Sequence, residues 1–421
     1  VTSPDLDVAV VGAGAAGLAT AIFTKERNAV LRVAVLDGAT KPGAKILVSG
    51  GSRCNVTNTV VTEGDFNGGR PAIIRSVLRA LPVSETVTFF QRIGVPLHEE
   101  PGGKYFPDSN QSRTVLEALL RELSRVGAEL RAGHRVHEIA REGDVFRIAT
   151  SAGTLTARAV VLATGGLSLP KTGSDGWGYT AATQLGHSIV PTTPALAPLL
   201  IKEGVHEGLS GVAQPSRLDL RVDDAISARV SGSVLWTHFG ISGPGALDMS
   251  RHWLRAQLAG QRTAMTMSLC PEETFESLDA SLVELARDRP RLTLQSVVAD
   301  RLPASVAAAI LNARDLPAGR TLAELTRDAR RVLVRALLEW PLAVADSRGY
   351  NFAEVTAGGV ALPEIDPSSM ASRRCPGLYL VGEILDVDGR IGGFNFQWAW
   401  SSARVASGAI ALAFGGVRQF S

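Results

Sequence analysis

The residues best suited to chemistry in this chain are glycines. Gly12, Gly14 and Gly17 follow directly on an apolar run at 8–11 and lead, with Ala15 and Ala16 between them, into an Ala/Leu-rich stretch without a breaker before Asn28. That pattern predicts strand, tight turn and helix. The first glycine permits the sharp turn, the second lets a pyrophosphate approach bare backbone, and the third lets the helix pack closely on the strand. The helix N-terminus then offers unpaired N–H groups and a positive dipole end to phosphate oxygens. Asp37 closes a second apolar run at 31–36, about twenty residues after Gly17, where a carboxylate is expected to hold a ribose hydroxyl. A lone GxGxxG also serves ordinary turns. Strand before, helix after and acid at the next strand end together predict a dinucleotide site, without deciding between FAD and NAD(P).

Three further stretches repeat the theme of bare backbone beside polar side chains. Residues 41–58, KPGAKILVSGGSRCNVTN, read as a loop that approaches something closely: Gly50 and Gly51 bring backbone N–H groups, Arg53, Asn55 and Asn58 bring donors, and Cys54 brings a polarisable sulfur. A buried strand at 159–163 ends in ATGG, placing Ala163, Thr164 and Gly165 where the carboxyl edge of a parallel sheet meets a ligand. Near the end, an apolar strand at 378–381 runs into Gly382 and Glu383, a turn carries Asp386, Asp388 and Gly389, and Gly392, Gly393, Phe394 and Asn395 open a helix through Leu412. A second helix N-terminus is thereby available for a negatively polarised group.

The elements that must position these residues follow from periodicity. Helices are expected over 73–93, interrupted at Pro82 with Ser84 as a cap, and over 112–126; a turn at 101–108 carries Lys104 and Tyr105 between them. From 129 to 161 the pattern is that of a small β-meander, and Pro191, Pro194 and Pro198 mark a linker. Strands are expected at 217–222, 229–235 and 263–269, separated by a long turn at 236–250 containing His238, and short helices from 271 to 338. The predicted organisation is α/β: a split Rossmann-like domain of residues 1–190 and 345–421, an inserted β-rich domain at 191–270 and a small helical domain at 271–344.

Composition narrows the classes. The 421 residues, 45% hydrophobic, suffice for a large core in two or three domains. Basic and acidic residues nearly balance, 43 against 41, so neither a nucleic acid nor an anionic membrane surface is expected as partner. Three scattered cysteines, Cys54, Cys270 and Cys375, form no CxxC pair or metal spacing; they predict a reducing compartment, no metal and no dithiol exchange. The N-terminal apolar stretch lacks a basic region before it and no run reaches membrane length unbroken, so the cytoplasm is the expected location. Oligomeric state is open.

The motifs together resemble a known family. VVGAGAAG at 10–17, KILVSGGSRCNVTN at 45–58, ATGG at 163–166, THFGISGPGALDMS at 237–250, VTAGGV at 355–360 and GLYLVGEILDVDGRIGGFNFQWAWSS at 377–402 are similar to the HI0933-like, or YhiN/BaiN, flavoproteins, relatives of glutathione reductase and fumarate reductase flavoproteins. The resemblance implies FAD in an extended form across the split domain, under an inserted β-barrel-like part and a small helical part. It implies that Gly12, Gly14, Ala15, Ala16 and Gly17 hold the pyrophosphate, and Asp37 with Gly38 the adenosine ribose. Lys45, Gly50, Gly51, Arg53, Cys54 and Asn55 would face the ribityl chain and ring, as would Ala163, Thr164 and Gly165, then Gly382, Glu383 and Asp388, and finally Gly392, Gly393, Phe394 and Asn395. Where the family usually carries tyrosine, this chain has Phe394.

With FAD supplying redox chemistry, the expected reaction is hydride transfer between flavin N5 and a small cyclic or unsaturated substrate, with NAD(P)H as ultimate donor. No second strand–GxGxxG–helix unit is visible, so a nicotinamide would bind transiently. A proton donor is required; His238 is the first candidate, with Tyr105 and Lys104 behind it. Arg53 could orient an anion or form an ordinary salt bridge, and Cys54 could form an adduct or be inert and buried. Two other classes stay open: a flavin-dependent nucleic-acid-modifying enzyme, against which the interleaved acids argue, and a flavin-binding redox sensor or interaction protein, which would bind FAD without turnover.

Overall fold

The computed structural model describes residues 3–415. The chain divides into two compact units, one of residues 1–192 and 354–421 and one of residues 193–353.

The first unit is built on a parallel sheet whose order is Glu129–Ala132, Val33–Asp37, Leu6–Val11, Gly153–Leu162 and Leu378–Leu380, extended by two short antiparallel strands, Ala371–Ser372 and Ile365–Asp366. Valines and alanines fill both faces. Val8, Val10, Val35, Val160 and Val161 are all fully buried, which is why these strands read as continuous apolar runs rather than alternating ones. Register aligns the strand ends: Val11 sits beside Leu36 and Leu162, and Leu162 beside Leu380. Gly12, Asp37, Ala163 and Val381 therefore emerge along one carboxyl edge, where open α/β sheets place their ligands.

Helix Ala15–Arg27 leaves the first strand at that edge and packs against Phe394–Phe414. Both helices are rich in small residues, Ala, Gly and Thr in the first and Ala, Ser and Gly in the second, so their backbones approach closely, and Leu18 and Ile22 are fully buried between layers, each worth about 1.5–3 kcal/mol.

Several expectations are corrected. Residues 41–58 are not all loop, since a short helix occupies the start of Ala44–Ser52 before Gly50 and Gly51 turn left-handed, with φ of +54° and +67°. The last meander strand and the buried strand are one element, Gly153–Leu162, pairing antiparallel with Val145–Thr150 and parallel with Leu6–Val11. Proline-rich 191–198 is largely strand, Ile189–Ala195. Ser84 lies inside helix Val83–Arg92, which Pro82 caps.

The second unit contains a seven-stranded sheet with Ala213–Val222 and Ala225–Thr237 at its centre. Its two end strands, Trp340–Leu342 and Val344–Ser347, are separated by one residue. The sheet must therefore curl back on itself, giving the barrel-like form. The expected turn at 236–250 is a tight reversal at 238–239, a short strand Gly240–Ser242 and a helix, Gly243–Leu258. Helices Phe275–Asp288, Leu294–Ala299, Ala304–Asn312 and Arg327–Leu338 follow, and their Leu282, Val297, Ile310 and Leu337 share one core with Leu218, Trp236 and Met267 of the sheet. Among the described residues no helix is long and apolar enough to cross a membrane, and no group of His, Cys, Asp and Glu is arranged to hold a metal.

Candidate cofactor and active site

The glycine turn has the geometry its sequence predicts. Gly12 has φ of +106°, and a Cβ there would sit 2.5 Å from Ala163 O. A Cβ on Gly17 would collide with Gly12 O, so the helix can lie this close to the turn only without one. Gly14 is different: a Cβ there would meet nothing within 4 Å. It caps helix Ala15–Arg27, which has no capping side chain and no acid in its first turn. The N–H groups of Ala15, Ala16 and Gly17 are thus left for an anion. Asp37 braces the turn, its Oδ2 accepting from Ala13 N–H (2.7 Å) and its Oδ1 from Ala39 N–H (2.8 Å). Each oxygen keeps acceptor capacity for a ribose hydroxyl. Gly38 is exposed and lies against Arg135.

A second uncapped helix N-terminus belongs to Phe394–Phe414. Gly392 and Gly393 have φ of +130° and +94°, and a Cβ on Gly393 would lie 2.5 Å from Thr57 O. Asn55, with its amide oriented to satisfy both ends, donates to Thr57 O (2.9 Å) and Tyr105 O (3.2 Å) and accepts from Gly393 N–H (3.1 Å). Buried Asn58 donates to Gly102 O (3.0 Å) and Gly392 O (3.1 Å). These two amides fasten the hairpin bearing Lys104 and Tyr105 to the Gly392–Gly393 turn. Asn395 secures the same turn through Gly389 N–H and O, both at 2.8 Å. The Phe394 ring is fully buried against Phe66 with Arg390 over it, so only its backbone can serve a ligand. Asp388 is buried on the short strand Val387–Gly389.

A charged cluster forms around Lys45 and Glu383. Lys45 Nζ donates to Glu383 Oε2 and to Ser168 Oγ, both at 2.5 Å. Ser168 Oγ donates to Glu383 Oε1 (2.7 Å), which also accepts from Thr356 N–H (3.1 Å). The preceding Gly382, φ +76°, presses on the first helix: a Cβ there would be 2.8 Å from that of Ala16. Its N–H donates to Ser402 Oγ and its O accepts from the Trp398 indole. The C-terminal segment is thereby locked over the N-terminal glycine turn. Thr164 and Gly165 border the same edge, Gly165 with φ of +71°.

The sequence matches the HI0933-like protein Rossmann domain over residues 6–409. The chain belongs to this family. HI0933-like relatives include the ribosomal RNA dihydrouridine synthase of Escherichia coli, 32% identical over 94% of this chain and 96% of that one. Another is the 3-dehydro-bile acid delta(4,6)-reductase of Clostridium scindens, 31% identical over 96% and 98%. Among solved structures, the fold is similar to the E. coli quinol fumarate reductase subunit FrdA (TM-score 0.50, 16% identity, covering 97% of this chain and 70% of that one). It is also similar to the 3-ketosteroid delta1-dehydrogenase of Sterolibacterium denitrificans (TM-score 0.51, 13% identity, 97% and 99%). The first unit of this HI0933-like chain is a Rossmann-like FAD-binding domain. Its residues fit the cofactor: an open cradle at Gly14 and two uncapped helix termini suit a pyrophosphate and an electron-rich ring.

Not every candidate side chain is free to face a ligand in this HI0933-like protein. Arg53 pairs with Glu100 (2.6 Å) and stacks 4.0 Å over Phe106, the ordinary salt bridge of the two readings. Cys54 is fully buried at φ +63°; burial pushes its thiol up to about 12 against a weaker lowering by Ser49, which removes the adduct reading. Gly50 and Gly51 lie at the rim of the kinked helix. Tyr105 and Lys104 are half-buried, and neither side chain forms a hydrogen bond or ion pair within reach among the described residues. His238 is exposed at the hairpin tip of the second unit, its ring edge-on to Phe239 at 5.1 Å, with no carboxylate paired to it among the described residues. Sequence reasoning missed Thr356 and Glu354, which flank Val355 at the start of the VTAGGV motif. Glu354 is exposed; the protein packed around it raises its pKa, while Lys45 and Lys104 pull it back.

Proposed function

We propose that this protein is an FAD-dependent reductase that saturates a carbon–carbon double bond conjugated with a carbonyl in a small cyclic or unsaturated molecule, with NADH or NADPH as ultimate electron source. Bound FAD supplies hydride transfer at N5. The N–H groups opening the Gly14 helix bind its pyrophosphate and Asp37 its ribose. The Gly393 helix terminus steadies negative charge on the ring system, and Lys45, held by Glu383 and Ser168, presents its remaining N–H to the same region. The observation that carries the reading is the close approach of Gly382 to Ala16 of the glycine-turn helix, with Glu383, the next residue, paired to Lys45 in the same unit. The bile-acid reductase relative supports the acceptor class, since its name describes saturation in a ring system bearing an oxo group.

The test is an anaerobic titration of FAD-loaded protein with NADH and NADPH, followed by a cyclic enone such as 2-cyclohexenone. The reading predicts that one nicotinamide bleaches the flavin and that the enone restores it faster than oxygen does. Flavin inert to every hydride donor and acceptor would instead support a sensor without turnover.

A second reading rests on the E. coli relative and on a Haemophilus influenzae one of the same name, 30% identical over 94% of this chain: the acceptor is a uracil ring in ribosomal RNA. Uracil and a cyclic enone offer the same reacting group, a ring C=C conjugated with a carbonyl. One catalytic centre could serve either, so near-neutral charge is a weak argument against RNA. A dihydrouridine absent from the ribosomal RNA of a strain lacking the gene, and restored by the cloned gene, would decide for it.

A further inference from the structure

We propose that the first unit carries a second ligand site, apart from the flavin site, for a small oxyanion, carboxylate or phosphate monoester, borne on an apolar group. The site is a groove of about 680 Å³ lined by the meander strand Val136–Glu142, the end of helix Trp177–Gln184 and residues 374–376. Arg141 and Arg374 supply its donors, and Ile139, Leu185 and Pro376 supply an apolar wall. Its place in the fold separates it from the flavin chemistry. Residues 374–376 lead into the amino end of strand Leu378–Leu380, and the meander strand reaches the sheet through Val145–Thr150, which pairs with the opening half of Gly153–Leu162. The glycine turn and Glu383 belong to the carboxyl edge, the length of a strand away, roughly 13 Å for the four residues from Gly377 to Val381.

One wall of the groove is fixed by a buried hydrogen-bond chain. Burial pushes the Glu364 carboxyl up, but the hydrogen bonds to it outweigh that and hold it at about 2. At neutral pH it therefore only accepts: from Ser188 N–H (2.9 Å) and Oγ (3.1 Å), Arg374 Nη2 (3.0 Å) and His187 Nδ1 (3.0 Å). Burial keeps the His187 ring neutral, so its proton sits on Nδ1 and Nε2 accepts from Ser372 Oγ (2.7 Å). Ser372 Oγ in turn accepts the N–H groups of Arg374 (3.0 Å) and Cys375 (2.8 Å). Residues 186–188 and 372–375 are thereby tied together, and Arg374 stands on a fixed base.

Neither guanidinium is used up by protein partners. Arg374 gives one N–H to Glu364. Arg141 lies 5.3 Å over the buried Phe146 ring and gives its Nε–H to Gly143 O (3.1 Å). Its Nη2 is 4.0 Å from Asp144, whose side chain is fully exposed, a contact that holds it weakly. Burial raises the Cys375 thiol and Arg141 pulls it back, so the Arg141 charge lies near the residue that follows Arg374. Glu138, which also lines the groove, is paired with Arg147 (2.7 Å) and does not compete for them. Unspent guanidinium donors beside an apolar wall bind an oxyanion through charge-assisted hydrogen bonds while its organic part leaves water.

The experiment uses FAD-loaded protein, in which the pyrophosphate cradle is occupied, and titrates it calorimetrically at constant ionic strength with phenyl phosphate, benzoate and inorganic phosphate. Phenyl phosphate or benzoate should bind at one site per chain with a Kd below about 1 mM, and inorganic phosphate about fivefold or more weakly because it has no apolar part. Arg141→Gln and Arg374→Gln should each weaken the aromatic ligand by about tenfold or more. Arg113→Gln, an exposed position on helix Ser112–Arg125, should leave it unchanged. If Arg374→Gln is destabilised by losing its contact with Glu364, Arg141→Gln, which breaks no buried pair, still reads the site. Binding of phenyl phosphate alone makes this a phosphate site, and of benzoate alone a carboxylate site. Neither aromatic ligand saturating the protein by about 10 mM, or binding that survives both glutamine substitutions, overturns the proposal and leaves the reductase reading untouched.

Discussion

Replacing Lys45 with methionine removes one charge from the central cluster while nearly preserving side-chain volume. At 2.5 Å the Lys45–Glu383 attraction is about 7 kcal/mol gross at an effective dielectric of ~20. Both side chains are largely shielded, 23% and 17% exposed, so desolvation cancels much of this. Removing one partner still strands Glu383 with only Ser168 and the Thr356 N–H, and a net loss of about 2–4 kcal/mol is expected. For a unit of this size that corresponds to a melting temperature lower by roughly 5–15 °C. The assay is a double-mutant cycle by urea and thermal unfolding with Lys45→Met, Glu383→Gln and the pair. Because the neutral pair leaves no stranded charge, the double variant should be less destabilised than the sum of the single ones by about 2 kcal/mol. Coupling below about 0.5 kcal/mol would refute the claim that the two side chains act as one shielded pair.

Other consequences are equally direct. Gly393→Ala forces a side chain into φ +94° and against Thr57 O at 2.5 Å; left-handed strain alone costs about 1–2 kcal/mol, and FAD affinity by fluorescence titration should fall at least tenfold, with unchanged affinity contradicting a role for this terminus. For Glu364, burial alone would raise the carboxyl pKa, but hydrogen bonds from Ser188, Arg374 and His187 outweigh it and hold the group at about 2 against an ordinary 4.5. Its stabilisation is therefore complete above pH 4.5 and lost as pH falls toward 2. Burial likewise lowers the His187 pKa from 6.5, despite the Glu364 carboxylate beside it, so charging it destabilises the fold as pH falls below 6.5. Together they should make wild type lose about 1–3 kcal/mol in acid, the lower end where solvent screens Glu364. Glu364→Gln should be less stable than wild type at pH 7 and should lose this difference near pH 2; an unchanged difference would contradict the account. Burial pushes Cys54 up to about 12 and Cys270 up to about 11 and also raises Cys375. Iodoacetamide at pH 8 should leave all three unmodified by mass spectrometry until the protein is unfolded, and rapid labelling of Cys54 in the native protein would revive the adduct reading.

How much was legible in the sequence depended on the range of the interactions involved. Gly12 and Gly17 announced their turn because a left-handed or crowded backbone admits little else, Gly14 and Asp37 announced it by their spacing, and the uncapped helix start followed from the same few residues. The short helix beginning at Ala44 was hidden because it is too brief for periodicity and ends in left-handed glycines. Helix Gly243–Leu258 was masked by the opening Gly-Pro-Gly, although Ala246, Met249 and Trp253 carry helical spacing and all three are buried. The proline-rich strand Ile189–Ala195 shows context overriding local propensity. Thr356 had no local signal at all: its place comes from Leu167, Ser168 and Glu383, all distant in sequence. Arg53 and Cys54, conspicuous in a polar motif, owe their actual roles to Glu100, Phe106 and the core, which no spacing reveals.

The measurement that tests the central claim most directly is the visible spectrum of the purified protein before and after incubation with FAD, followed by gel filtration to remove unbound cofactor. The account predicts a retained flavin band at one FAD per chain, weakened by Gly393→Ala. A protein that stays colourless after reconstitution, while folded and melting cooperatively, would contradict it.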